Sequence, residues 1–177
     1  MKSVLISIKP KYVELIANGE KTIEVRKSAP KEVPFKAYIY ETKGATEMPW
    51  VDEDGHFIYK GRGQVIGEFI CDRITDISVV VKNCNENYNH VYHNDECKGS
   101  CLTWKELQEY GKGKPLYGWH ISDLKIYDKP KPLTSFYKTC RIEWKNCPCC
   151  EFYSTYTGCC MNCVKRPPES WCYVEEL

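Results

Sequence analysis

The chain has 177 residues with 42% hydrophobic, 28% charged and 13% aromatic side chains, a composition that buries a core and excludes a disordered polymer or a large multidomain enzyme. Lys and Arg total 25 against 24 Asp and Glu, so no global field draws the protein onto nucleic acid or membrane, and any such binding must come from a local patch. Twelve cysteines leave two explanations, a disulfide framework or metal ligation in a reducing compartment.

The N-terminus favours the second. Val4-Leu5-Ile6-Ser7-Ile8 is interrupted by Lys9 and Pro10, too short for a secretory signal, and no stretch approaches the ~20 apolar residues of a membrane helix. The expected protein is cytoplasmic, soluble and without membrane contact, with reduced thiols. Val4 to Lys9 reads as a strand, and Pro10 opens a helix over 11–17 that Gly19 stops. From Lys21 the pattern alternates, Ile23 and Val25 against Thr22, Glu24 and Arg26, as in a half-buried strand. Phe35 to Thr42 and Gly63 to Ile77 follow as strands, the second punctuated by Gly67, with a polar hairpin tip or flap over 47–61 between them. Residues 82–101 lack a period and are rich in Asn, Cys and His, an ordered excursion only if something pins them. Thr103 and Glu106 are spaced as a capping box for a second helix ending near Gly111, and Tyr117 to Tyr127 is a last strand. Lys129-Pro130-Lys131-Pro132 is stiff and extended, and beyond it lie eight of the twelve cysteines. The expected boundary falls near 128–139. It separates an α+β domain over 1–135, carrying the Cys/His-rich insert 82–101, from a small Cys-rich module over 136–177 that needs a staple to fold.

The opening of the chain carries a family likeness. Leu5-Ile6-Ser7-Ile8-Lys9-Pro10-Lys11-Tyr12, the helix end Asn18-Gly19-Glu20-Lys21 and the strand Thr22-Ile23-Glu24-Val25-Arg26-Lys27 resemble the start of ASCH domains, of the PUA-like superfamily. The pattern Gly19-x-Lys21-x-x-Glu24-x-Arg26 is similar to that family's motif. Val65-Ile66-Gly67-Glu68, Gly118-Trp119 and Pro130-x-Pro132-Leu133 are similar to later family segments, so the likeness spans about 1–135. The resemblance implies a small bent β-barrel with short flanking helices, whose cleft binds RNA or nucleotides. One enzymatic group in the family hydrolyses the acyl amide of N4-acetylcytidine with a Lys matching Lys21, a Thr and a Glu. Here Glu24 stands at the Thr position, and Ser100 at the Glu position, with Asp95 and Glu96 nearby. Other relatives are reported to cut RNA.

From the residues alone, Lys21 follows a helix-ending glycine at the rim of any cleft between helix and sheet, and Glu24 and Arg26, which share one strand face, can join it. Arg offers a planar fork of donors, Lys a movable charge and Glu an acceptor for an exocyclic amine, a set suited to a phosphate or base edge. The plain alternative is an exposed salt-bridge ladder worth under ~1 kcal/mol. Lys27, with Lys31 and Lys36, extends the basic cluster, and Trp50 at the hairpin tip is the best exposed ring for stacking on a base. In an enzyme, a desolvated Lys21 is nucleophile or base and Glu24 shuttles the proton.

Cys147-x-x-Cys150 and Cys160-x-x-Cys163 are two knuckles whose thiolates complete a tetrahedron, the pattern of a structural zinc ribbon. Cys149 and Cys159 adjoin the pairs and Cys140 and Cys172 flank them, so the register stays open. His90, His93, Cys97 and Cys101, at spacings of three and four, form a candidate second zinc site on a helical face. The sequence thus reads as an RNA- or nucleotide-binding protein with structural Zn2+. Its rivals are an enzyme acting on N4-acylcytidine or RNA through Lys21 and Glu24, and a protein-interaction adaptor that docks through the C-terminal module.

Overall fold

The computed structural model describes residues 1–44, 61–77, 98–138 and 163–176. Its elements, in chain order, are β1 (Ser3–Ile8), α1 (Pro10–Ala17), β2 (Ile23–Arg26), β3 (Phe35–Glu41), β4 (Val65–Cys71), β5 (Ile74–Asp76), α2 (Trp104–Gly111), β6 (Tyr117–His120), β7 (Ser122–Lys131), β8 (Phe136–Tyr137), β9 (Trp171–Tyr173) and β10 (Glu175–Glu176). This is the mixed α+β class expected. The described strands lie in sheets of five, three and two strands, ordered β7-β4-β3-β1-β9, β2-β6-β5 and β10-β8. The expected bent barrel is not closed among them. No helix of the described residues is long and apolar enough to cross a membrane.

Two compact units emerge: residues 1–10, 36–68 and 125–177 form one, and residues 11–35 and 69–124 the other. In the first, β1 runs parallel to β3, with Val4 opposite Ala37 and Ile6 opposite Ile39. Parallel neighbours need a crossover, and residues 9–34 supply it. On β1's other side β9 pairs antiparallel, Leu5 opposite Cys172. The core gathers Leu5, Tyr38, Tyr40, Val65 and Phe136 with Val164 and Val174 of the C-terminal segment. Glu68 is held between Lys36, 3.1 Å away, and the Tyr127 hydroxyl, which donates to it at 2.5 Å. Desolvation alone would raise the Glu68 carboxyl, but these two partners outweigh it and hold the group below its usual range. Gly67 is where the strand pattern placed a glycine for a reason: a Cβ there would stand 2.5 Å from the Lys125 carbonyl oxygen.

In the second unit, β6 is the centre of the three-stranded sheet, antiparallel to both β2 and β5. Val25, Ile77, Leu107 and Leu116 pack on one side. The capping box of α2 forms as expected: the Glu106 amide donates to Thr103 Oγ1 at 3.2 Å, and the Thr103 amide donates to Glu106 at 2.7 Å. The left-handed residue at its end is Lys112, φ 49°, rather than Gly111, which is buried with Leu116 at 3.3 Å from where its Cβ would be.

Two expected strands are each divided. The run from Gly63 to Ile77 breaks at Asp72 and Arg73, where the Cys71 thiol donates to the Arg73 carbonyl at 3.3 Å. The run from Tyr117 to Tyr127 breaks at Ile121, whose amide turns to the Thr22 carbonyl at 2.9 Å. Pro130 ends up inside β7, an edge strand, where its missing N–H is harmless. Of the expected C-terminal module, residues 163–176 are described: Val164 donates to Phe136, Val174 to Ser3, and Ser7 Oγ to Pro168.

Candidate functional site

The site starts from how α1 ends. Gly19 has φ 77°, the left-handed conformation that glycine adopts without a Cβ penalty. Its amide donates to Ile16 at 3.0 Å and the Glu20 amide to Leu15 at 2.9 Å, the paired closure that ends a helix on glycine. The Lys21 amide shares the Leu15 carbonyl. The chain thereby leaves the helix with Lys21 fixed two residues before β2.

All four residues of β2 are buried, whereas the alternation implied a half-buried strand with its charged side in water. The reason is what covers that side. Glu24 pairs across the sheet with Trp119, which is fully buried with its ring edge-on to Phe35 at 5.0 Å. Lys21 retains 2%, Glu24 5% and Arg26 8% of full exposure, so the surface-ladder reading is replaced by a buried ion triad. Arg26 Nη2 sits 2.9 Å from Glu24 Oε1, and Lys21 Nζ sits 3.4 Å from Glu24 Oε2. Lys21 Nζ also donates to the Ser100 carbonyl at 2.5 Å and lies 5.3 Å from the centre of the Tyr12 ring. Burial pushes the Lys21 ammonium below its ordinary value, while Glu24 pulls the other way. Burial and the charges of Glu106 and Glu24 push the Tyr12 hydroxyl up.

Around the triad lie further cations and rings. Lys11, exposed, has its ammonium 5.7 Å from the Tyr12 ring, and Lys27, also exposed, has its own 4.8 Å from the Tyr110 ring of α2. Glu106, held below its usual range by its Thr103 hydrogen bonds, sits close enough to act electrostatically on Tyr12. The chemical repertoire is thus a desolvated amine beside a carboxylate, a fixed guanidinium, and two half-buried tyrosines each under a lysine.

Sequence reasoning brought Lys21, Glu24, Arg26 and Lys27 together; the structure joins the first three through Glu24 and sets Lys27 over the Tyr110 ring. It passed over Tyr12, read only as an apolar helix position, and over the Ser100 carbonyl, Glu106 and Tyr110. Only the (i, i+4) spacing of Glu106 and Tyr110 on α2 hinted that these two share a face.

Trp50, Cys147, Cys150, Cys160, His90, His93 and Cys97 lie outside the described residues. Cys163 is described, half-buried and bridged to Tyr137. Cys101 has φ 52°, which is not a right-handed helical conformation, and its thiol donates to the Glu20 carbonyl at 3.4 Å. No group of three or more His, Cys, Asp or Glu placed to hold a metal occurs among the described residues. Cys71, whose thiol burial pushes up to about 12, and Cys172, also raised by burial, are packed thiols of the kind that stay inert.

The Lys21 environment has a measurable consequence. The folded protein releases this proton at lower pH than the unfolded chain, whose lysine keeps the ordinary value of 10.5. Between the two values the unfolded state binds more protons, so stability rises with pH across that window. Lys21→Met removes the effect, and titrations common to both proteins cancel. The difference in urea-unfolding free energy between wild type and Lys21→Met is therefore expected to move in favour of wild type as pH rises toward 10.5. A flat difference contradicts a desolvated lysine.

Known proteins were compared with the chain as a whole. The family model described as "ASCH domain" matches residues 6–148. A crystal structure of ASCH from Zymomonas mobilis superposes with a TM-score of 0.55 at 17% identity, covering 98% of this chain and 88% of that one. Two single-substitution mutants of the Z. mobilis protein, tyrosine to phenylalanine and serine to alanine, give TM-scores of 0.55 and 0.56, also at 17% identity. They cover 99% and 98% of this chain and 91% and 89% of theirs. No match is found among curated proteins. With a family match across most of its length and a shared fold, the chain belongs to the ASCH domain family.

Proposed function

We propose that this ASCH protein binds RNA or a nucleotide-like ligand at the group built on Lys21, Glu24, Arg26 and Lys27. The observation that carries the reading is the charge balance around the buried triad. Lys21 and Arg26 pair with Glu24, Lys11 and Lys21 act on Glu106, and Lys11 and Lys27 stand over the half-buried Tyr12 and Tyr110 rings, four cations named against two carboxylates. Phosphates meet the cations, and bases stack on the rings at about 1–3 kcal/mol each. Trp50 is a further stacking candidate.

The test is fluorescence anisotropy with a labelled single-stranded RNA at graded salt. The affinity is expected to fall with salt at a log–log slope of about −0.7 per phosphate contacted, and Lys27→Ala to make that slope shallower by one such step. Binding indifferent to salt, or none with RNA or nucleoside monophosphates, overturns the reading.

One observation favours a second reading. Lys21 pairs a desolvated amine with a carboxylate at 3.4 Å, the pairing from which an amine nucleophile or base draws its reactivity. In that reading Lys21 and Glu24 are catalytic and the substrate is an N4-acylcytidine or RNA. The assay is release of the free acid from an acylated cytidine, or shortening of the RNA, lost in Lys21→Ala.

For the C-terminal cysteines, the reading is structural zinc on Cys147, Cys150, Cys160 and Cys163 in a reducing, cytoplasmic setting, with His90, His93, Cys97 and Cys101 as a candidate second site. The packing of Cys172 against the apolar core supports leaving it out of the ligand set. A protein partner docking through this module is the adaptor form of the proposal. Metal analysis with a thiol count is expected to find one zinc with about four thiols protected until chelation, or two with about eight. Metal-free protein with cysteines oxidised in pairs contradicts it.

A further inference from the structure

Lys21 is buried by a specific piece of chain. Four consecutive contacts bind residues 99–101 to residues 20–23. The Gly99 carbonyl accepts from the amides of both Thr22 and Ile23 at 2.8 Å. The Ser100 carbonyl accepts from Lys21 Nζ at 2.5 Å, and the Cys101 thiol donates to the Glu20 carbonyl at 3.4 Å. Ser100 is itself 1% exposed, and its hydroxyl accepts from the Leu102 amide at 3.2 Å. We infer that residues 98–101 are a strap that positions the Lys21 ammonium and gates access to it, so that any ligand touching this group must first displace the Ser100 carbonyl.

Three features make this segment a closure rather than part of the core. The contacts named above that tie it to residues 20–23 are hydrogen bonds, which opening replaces with bonds to water at a net cost of about 1 kcal/mol for each neutral one and about 1.5–3 kcal/mol for the one from the ammonium. Its turn is tight, the Cys101 amide returning to the Lys98 carbonyl at 3.2 Å with Cys101 at φ 52°, a conformation that a non-glycine residue adopts at a cost. Its fit depends on a missing side chain, because a Cβ on Gly99 would stand 2.5 Å from Thr22 Oγ1 and 3.1 Å from Ile23 Cδ1. The amine that the proposed function places at the centre of the site is therefore sequestered at rest. The strap acts on it whether the guest is a nucleotide or something else.

The test needs no ligand. The whole protein is pulsed with an acylating amine reagent, and labelling at individual lysines is read by mass spectrometry. In wild type, Lys21 is expected to react at least about tenfold more slowly than exposed Lys11 and Lys27. Gly99→Ala, which drives a methyl into Thr22, is expected to speed Lys21 by about tenfold with Lys11 and Lys27 unchanged, and Thr22→Ala added to it to restore part of the protection. Lys21 reacting as fast as Lys11 in wild type, or indifferent to Gly99→Ala, overturns the inference. Should Gly99→Ala fail to fold, amide exchange in wild type decides. Thr22 and Ile23 exchanging faster than the Leu5 amide supports a strap that opens locally, and exchange only with global unfolding refutes it. Failure of RNA binding leaves these outcomes unaffected.

Discussion

One carboxylate holding two buried cations is the constraint on which the second unit depends. Glu24 lies between Lys21 and Arg26, within 3.4 and 2.9 Å of them, and all three side chains are nearly without water. Taking ions out of water costs several kcal/mol apiece even after relaxation, so such a group survives only where the surrounding chain supplies partners. The helix end at Gly19 delivers Lys21, the β2–β6 register sets Trp119 beside Glu24, and the Ser100 carbonyl accepts from the ammonium. A fold that needed only stability would fill this place with apolar residues at no loss. The three charges kept there are the group on which the ligand site proposed above is built.

What the sequence revealed and what it hid divide along chain distance. Gly19 was legible as a helix stop because the requirement is local: a left-handed residue with no Cβ. The Thr103–Glu106 capping box was legible for the same reason, both partners lying within one turn. Gly67 was legible only as an interruption of a strand; the Lys125 carbonyl that approaches it was not. Glu24 and Arg26 were legible as a pair, since a strand's period of two settles which residues share a side, and Lys21 joined them as the residue that follows the helix-ending glycine. Their burial was not, because the residues that cover them come from elsewhere: Ser100 is 79 positions from Lys21. Tyr12 was hidden by its own pattern, an aromatic in an apolar helix stripe that also serves as the surface under two ammonium groups.

The C-terminal segment offers the complementary case. Composition changes sharply after Pro132, which suggested an independent module. Residues 163–176 nevertheless contribute Val164 and Val174 to the same apolar cluster as Leu5 and Phe136, and β9 lies against β1. Strands of two and three residues carry too few side chains to show any period, so nothing local marked β8, β9 or β10. Cysteine count did not separate the roles of the described cysteines. Cys71, buried, and Cys172, half-buried, pack as small apolar side chains, and Cys101 donates to a carbonyl beside the candidate site.

The most direct measurement of the central claim is the unfolding free energy of Glu24→Gln, which keeps the shape of the side chain and removes the charge between the two cations. A buried triad predicts a loss of about 3 kcal/mol or more, because Lys21 and Arg26 are left desolvated without their counter-ion. A loss under about 1 kcal/mol is what an exposed charge ladder gives, and that result would contradict the account.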